Sequence, residues 1–201
     1  MKGIRFSNLY LVLVIFLSHF FAPEGYLFYQ HTMSEMAAQY APNAWILTLG
    51  FVGAGLGYLV FSYRYFQRKE LPLWLTLLTM LNGLSLILLA VFPTSYDGYS
   101  IPPNETIVVI HRYIAYVSNI ITMVSLAIHA VKSKENLRLI HSLFLITAFV
   151  FSGFFIYYNQ DVRGLFQRLI LLTTSSWTWF YYAKFHPSSK TTKPNPIVQE
   201  S

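Results

Sequence analysis

The chain of 201 residues contains no cysteine and carries little charge. Without a thiol there is no disulfide, no thiolate metal site and no cysteine nucleophile, and the redox state of the compartment leaves no trace in the sequence. Lys, Arg, Asp and Glu together make up 11% of the residues, less than half of the roughly one quarter found in soluble domains. Long uncharged stretches must follow, and with 55% hydrophobic and 18% aromatic residues their natural solvent is a bilayer. Also missing is the period-2 alternation, over segments of about ten residues, that a membrane-spanning β-barrel requires. Helices are then the remaining spanning structure, because lipid offers no partner to an unpaired backbone group. No nucleophile elbow, HExxH or HxxxH pair occurs, so the common hydrolase and metalloprotease patterns are absent.

Runs of about 20 apolar residues, the length that crosses a hydrocarbon core, fall at 4–22, 43–63, 72–92, 106–130, 139–158 and 164–183. The expected fold is an all-α, six-helix membrane bundle over residues 1–185, followed by a disordered polar tail at 186–201. The first run follows Lys2 and Arg5 as a signal peptide would, but Ser18-His19-Phe20-Phe21-Ala22 lacks the pair of small residues a cleavage site needs, so an uncleaved helix is expected. The net charge of +6 is a matter of topology. With the N-terminus inside, eleven of the fourteen basic residues lie in inner segments, and Arg112, Arg163 and Arg168 lie outside. This asymmetry predicts a multi-pass protein with cytoplasmic termini and no nucleic-acid partner.

Two internal patterns stand out. Gly53-x-x-x-Gly57 in the second run is the small-residue spacing that lets helix backbones approach closely in lipid. In the fourth, His111, Ala115, Ser118, Thr122, Ser125 and His129 recur at steps of four and three, drawing a small polar line about 27 Å long on one helix face. It reads either as interhelical hydrogen bonding or as the wall of a polar cavity capped by a histidine at each end. No metal site and no cofactor are expected. The alternative for the histidines is haem, held by His129 with His141 or by His111 with His19 or His31.

The outer face gathers more ionisable groups than packing requires. Arg112 and Arg168 sit in the first turns of the fourth and sixth helices and need partners or headgroups; the carboxylates on offer are Glu35, Asp97, Glu105 and Asp161. The expectation is an outer-leaflet pocket of Glu35, Asp97, His111, Arg112 and Arg168 that binds a lipid or small amphiphile. A lipid-modifying enzyme using His111 as acid or base is the alternative from another class, and Ser34, Asp97 and His111 could in principle form a lipid-hydrolase set. A third alternative is an accessory subunit whose small-residue helix faces dock another membrane protein or a second copy. Asn104-Glu105-Thr106 is a glycosylation acceptor pattern.

Ser34-Glu35-Met36-Ala37, Pro42-Asn43-Ala44-Trp45, Phe92-Pro93-Thr94, His111, Gly164-Leu165-Phe166-Gln167-Arg168 and Trp177 together resemble the six-helix membrane family catalogued as domain of unknown function 998, from the first helix to about Phe185. The resemblance implies a plasma-membrane bundle with Ser34, Glu35, Pro93, His111 and Arg168 at the outer side, and it implies no reaction. Asp97 fits the pattern more loosely than the others.

Overall fold

The computed structural model describes residues 2–157 and 160–184. Six α-helices follow one another: α1 (Lys2–Ser18), α2 (Ala44–Gln67), α3 (Leu73–Val91), α4 (Glu105–Lys132), α5 (Glu135–Tyr157) and α6 (Arg163–Lys184). Short 3-10 turns lie at His19–Phe21, Met33–Ala37 and Gln160–Val162, and no strand occurs among the described residues. By length and composition α1 to α5 can each cross a membrane. The sixth helix is more polar through Thr173, Thr174, Ser175 and Ser176, and its 22 residues extend about 33 Å, enough to run beside the others across the same thickness.

Each helix packs against its neighbours in sequence, and α1 packs against α6, so the six close into a ring. The bonds between them fix an alternating up-and-down order. Gly3 N on α1 donates to Tyr65 Oη near the end of α2 at 2.9 Å, and Asn8 Nδ2 on α1 donates to the Ser175 carbonyl of α6 at 3.3 Å. One end of the bundle therefore holds the start of α1, the end of α6 and the turns α2–α3 and α4–α5. This terminal end carries most of the basic residues; the opposite, loop end carries segments 22–43 and 92–104.

Burial is inverted relative to a soluble protein. Val131, Phe149, Tyr113 and Leu139 are the kind of side chain left on the outside, whereas Ser7, Asn8, Ser62, Thr79, Ser125, His129 and His141 are buried. Apolar side chains cost nothing against lipid, and polar ones find partners only inside the bundle.

Local chemistry sets the helix limits. The α2 helix runs past Tyr63 to Gln67 and ends where Lys69 turns left-handed (φ 57°), with Lys69 N bonded to the Phe66 carbonyl at 2.8 Å and Glu70 N to the Tyr65 carbonyl at 2.9 Å. That double bond pattern is a Schellman closure, usually made by glycine. At the start of α4, Asn104 Oδ1 accepts from Ile107 N at 3.3 Å, so the asparagine of the glycosylation pattern is a helix cap.

The α2 glycines serve two faces. Side chains added at Gly53 and Gly57 would strike Tyr10 and Ser7 of α1, so this spacing is used within the chain. On the other face a Cβ at Gly55 would lie 2.5 Å from the Gly83 carbonyl oxygen, and one at Gly83 would lie 2.8 Å from that of Gly55. The α2 and α3 backbones thus touch at a glycine pair.

Candidate functional site

At the loop end, α6 grips the segment between α1 and α2. Gly164 N and Leu165 N donate to the carbonyls of Gln30 (3.3 Å) and Tyr29 (2.9 Å), which satisfies amides that a helix start leaves open. A side chain at Gly164 would collide with the His31 carbonyl. Gln167 Oε1 accepts from Met33 N at 2.6 Å. Glu35 is buried, and its Oε1 accepts from Thr32 N (3.1 Å), Thr32 Oγ1 (2.9 Å) and Arg163 Nη2 (2.9 Å).

Arg168 is the hub. It is 6% exposed, and its Nη1 donates to the His31 carbonyl (3.0 Å) and the Gly164 carbonyl (2.8 Å). Nε and Nη2 both donate to His19 Nε2, at 3.3 and 2.9 Å, and Nη2 also donates to Tyr26 Oη. The guanidinium has five N–H groups, and these contacts use all of them. His19 is oriented to accept, since its Nδ1 sits 2.7 Å from the Ile15 carbonyl and must carry the proton. Phe28 lies under the cation, 4.2 Å from Cζ to the ring centroid. Among the described residues no carboxylate bonds Arg168.

The other residues of the expected outer pocket stand apart from this hub. Arg112 and Asp97 are exposed. His111 is buried, with Nδ1 2.6 Å from the Phe92 carbonyl, so it closes the end of α3 onto α4. Tyr96, next to Asp97, packs on His31 (5.2 Å between centroids) and donates to the Glu24 carbonyl at 2.8 Å. Burial pushes the Tyr26 hydroxyl up to about 12, against the pull of the Arg168 cation, so at neutral pH it is a neutral group that accepts from Arg168 and donates to the Thr32 carbonyl at 2.9 Å.

The fourth-helix stripe leads elsewhere. Ser118, Thr122 and Ser125 line a partly open cavity of about 170 Å³ within the ring, to which every helix except α5 contributes. Across from them stand Asn8, Tyr58, Thr79, Asn82, Thr174, Ser175, Thr178 and Tyr182, and no lining residue is charged. Part of this lining is self-satisfied. Tyr58 Oη donates to Asn8 Oδ1 at 3.1 Å, Thr122 Oγ1 lies 3.3 Å from Asn82 Oδ1, and Thr79 Oγ1 lies 3.0 Å from Tyr182 Oη. Asn82 Nδ2, Ser118 Oγ and Ser175 Oγ take no partner among the described residues.

His129, the last residue of the stripe, leaves this cavity and joins an aromatic nest at the terminal end. Its ring lies 4.2 Å from Tyr181, 5.1 Å from Trp74 and Trp177, and 5.7 Å from His141. His141 Nδ1 accepts from Trp177 Nε1 at 3.0 Å. Of the other histidines considered for haem, His19 has both ring nitrogens engaged as described above, and His111 stands at the α3–α4 junction. Among the described residues no three His, Asp or Glu side chains gather as a metal site.

Residues 9–183 match the model of the family described as Protein of unknown function (DUF998). The chain belongs to that family. No curated protein and no solved structure matches it. In this DUF998 protein, Glu35, Gly164, Gln167 and Arg168, which carry the resemblance in sequence, are the residues that fasten the α1–α2 segment onto α6. The cavity residues of α1, α2 and α3 escaped the sequence reading. Asn8 and Asn82 carried a usable signal, because an amide inside an apolar helix must find a partner within the bundle.

Proposed function

We propose that this DUF998 protein is a membrane binding protein that receives an uncharged, hydrogen-bonding group in its central cavity. The group belongs either to a small polar solute or to the head of an amphiphile. The observation that carries the reading is the lining: hydroxyls and amides from five helices around about 170 Å³, with no charge and with Asn82 Nδ2, Ser118 Oγ and Ser175 Oγ left open. Pockets that orient a ligand do so with a few convergent polar groups on an otherwise apolar wall, here Leu11, Leu75, Leu86 and Leu171. An anion would be poorly served, since Arg168 spends its donors on the protein. The distribution of Lys and Arg supports an orientation with both termini cytoplasmic, which puts the loop end outside.

Native mass spectrometry of the full chain, released from detergent, tests the reading. A retained neutral species supports it, and its mass and solubility tell a lipid from a free solute. A clean apo spectrum that stays clean after incubation with neutral lipids and with polyol and amide solutes rejects it.

A further inference from the structure

A second pocket, of about 300 Å³, opens at the terminal end between the α2–α3 and α4–α5 turns, with Trp74, His129, Lys132, Ser133, His141 and Tyr181 in its wall. One polar atom there has no explanation in the fold. His129 is 4% exposed, and its Nδ1 is 2.6 Å from the Ser125 carbonyl, which only an N–H satisfies. In the neutral ring the remaining nitrogen, Nε2, then presents a lone pair. That atom is buried and has no hydrogen-bond partner. A buried acceptor left open costs roughly 1–3 kcal/mol, so it calls for a donor from outside the protein.

The surroundings narrow the donor's identity. Lys132 Nζ lies 4.8 Å from the Trp74 ring centroid at the mouth, and no acidic residue lines the pocket. The two turns flanking it and the helix ends beside them carry Arg68, Lys69, Lys132, Lys134 and Arg138 against Glu70 and Glu135, a net basic rim of the kind that draws anionic lipid. Trp74 and Tyr181 provide amphipathic walls, of the residue types enriched where headgroups meet protein. We propose that this pocket binds the headgroup of an anionic phospholipid that bears a free hydroxyl, the hydroxyl donating to His129 Nε2 and the phosphate lying toward Lys132. This site is separate from the central cavity and does not depend on it.

The test uses the full chain in detergent with two lipids of equal charge and equal acyl chains, titrated and read by native mass spectrometry: dioleoyl phosphatidylglycerol, which has free hydroxyls, and dioleoyl phosphatidylethanol, which has none. Wild type is expected to retain phosphatidylglycerol about fivefold better, the worth of one buried hydrogen bond. His129→Phe keeps a planar ring but has no nitrogen to accept the hydroxyl, and is expected to hold the two lipids equally. Lys132→Gln is expected to weaken both relative to dioleoyl phosphatidylcholine while leaving their ratio intact. Equal retention of the two anionic lipids by wild type overturns the proposal whether or not either variant folds. So does a His129→Phe protein that keeps the preference, or a Lys132→Gln protein that holds both lipids as wild type does.

Discussion

Arg168 is paired with His19, a neutral ring, and not with a carboxylate: two of its nitrogens converge on His19 Nε2, at 3.3 and 2.9 Å. The carboxylate nearby, Glu35, is bonded to Arg163. The two arginines therefore divide the work. Arg163 neutralises the buried acid, and Arg168 ties α1, the α1–α2 segment and α6 together with its planar fork of donors.

This division predicts that Arg168→Lys does not rescue Arg168→Ala. An ammonium has three donors and no fork, so it leaves part of the set formed by His19, Tyr26 and the His31 and Gly164 carbonyls unserved. Both variants are expected to lose about 2–4 kcal/mol, the cost of several buried acceptors left open. Thermal unfolding in detergent, followed by circular dichroism, checks this; a lysine variant as stable as wild type contradicts it.

The glycine contact between α2 and α3 predicts a sharp steric penalty. Gly83→Val places its Cβ against the Gly55 carbonyl, with a backbone 2.8 Å away that cannot rotate aside. A loss of roughly 1–3 kcal/mol is expected from such overpacking, measured by the same melts, whereas Gly153→Ala meets nothing within 4 Å and is expected to be neutral or stabilising.

At Lys69 the expectation has the opposite sign. A lysine with φ 57° holds a left-handed conformation that costs about 1 kcal/mol relative to glycine. Lys69→Gly is expected to raise the melting temperature, and a fall would show that the lysine side chain contributes more than the backbone costs.

Tyr26 gives the pH dependence. Its hydroxyl is raised from 10.0 to about 12 in the folded protein, chiefly by burial. Above pH 10 the unfolded chain releases this proton while the folded one retains it, so stability from this group is complete below pH 10 and is lost as pH rises to 12. Tyr26→Phe is expected to start less stable, through the lost bond to the Thr32 carbonyl, and to decline less steeply over that window. Parallel melting curves between pH 9 and 12 exclude it.

The six helices were legible because apolar runs of membrane length leave little freedom, whereas their limits were not: α1 ends at Ser18 and passes into a 3-10 turn, α2 runs on to Gln67, and α5 starts already at Glu135. The stripe of α4 was legible for a related reason: steps of three and four put Ser118, Thr122 and Ser125 on one face whatever that face meets. Partnership was not legible. Charge complementarity points Arg168 toward an acid, but the fold brings His19 to it from 149 residues away, and nothing local in either segment encodes that meeting. The cavity's far wall was hidden likewise, since Thr79 and Tyr182 meet only when α3 and α6 face each other across the ring.

The most direct measurement compares the species retained in native mass spectrometry by wild type, by Ser118→Leu, which fills the central cavity from a wall position with an open hydroxyl, and by Tyr113→Leu, whose side chain faces outward at 67% exposure. The expected result is a neutral species on wild type and Tyr113→Leu that is missing from a folded Ser118→Leu protein. A species retained equally by all three would place its binding outside the cavity and contradict the proposed function.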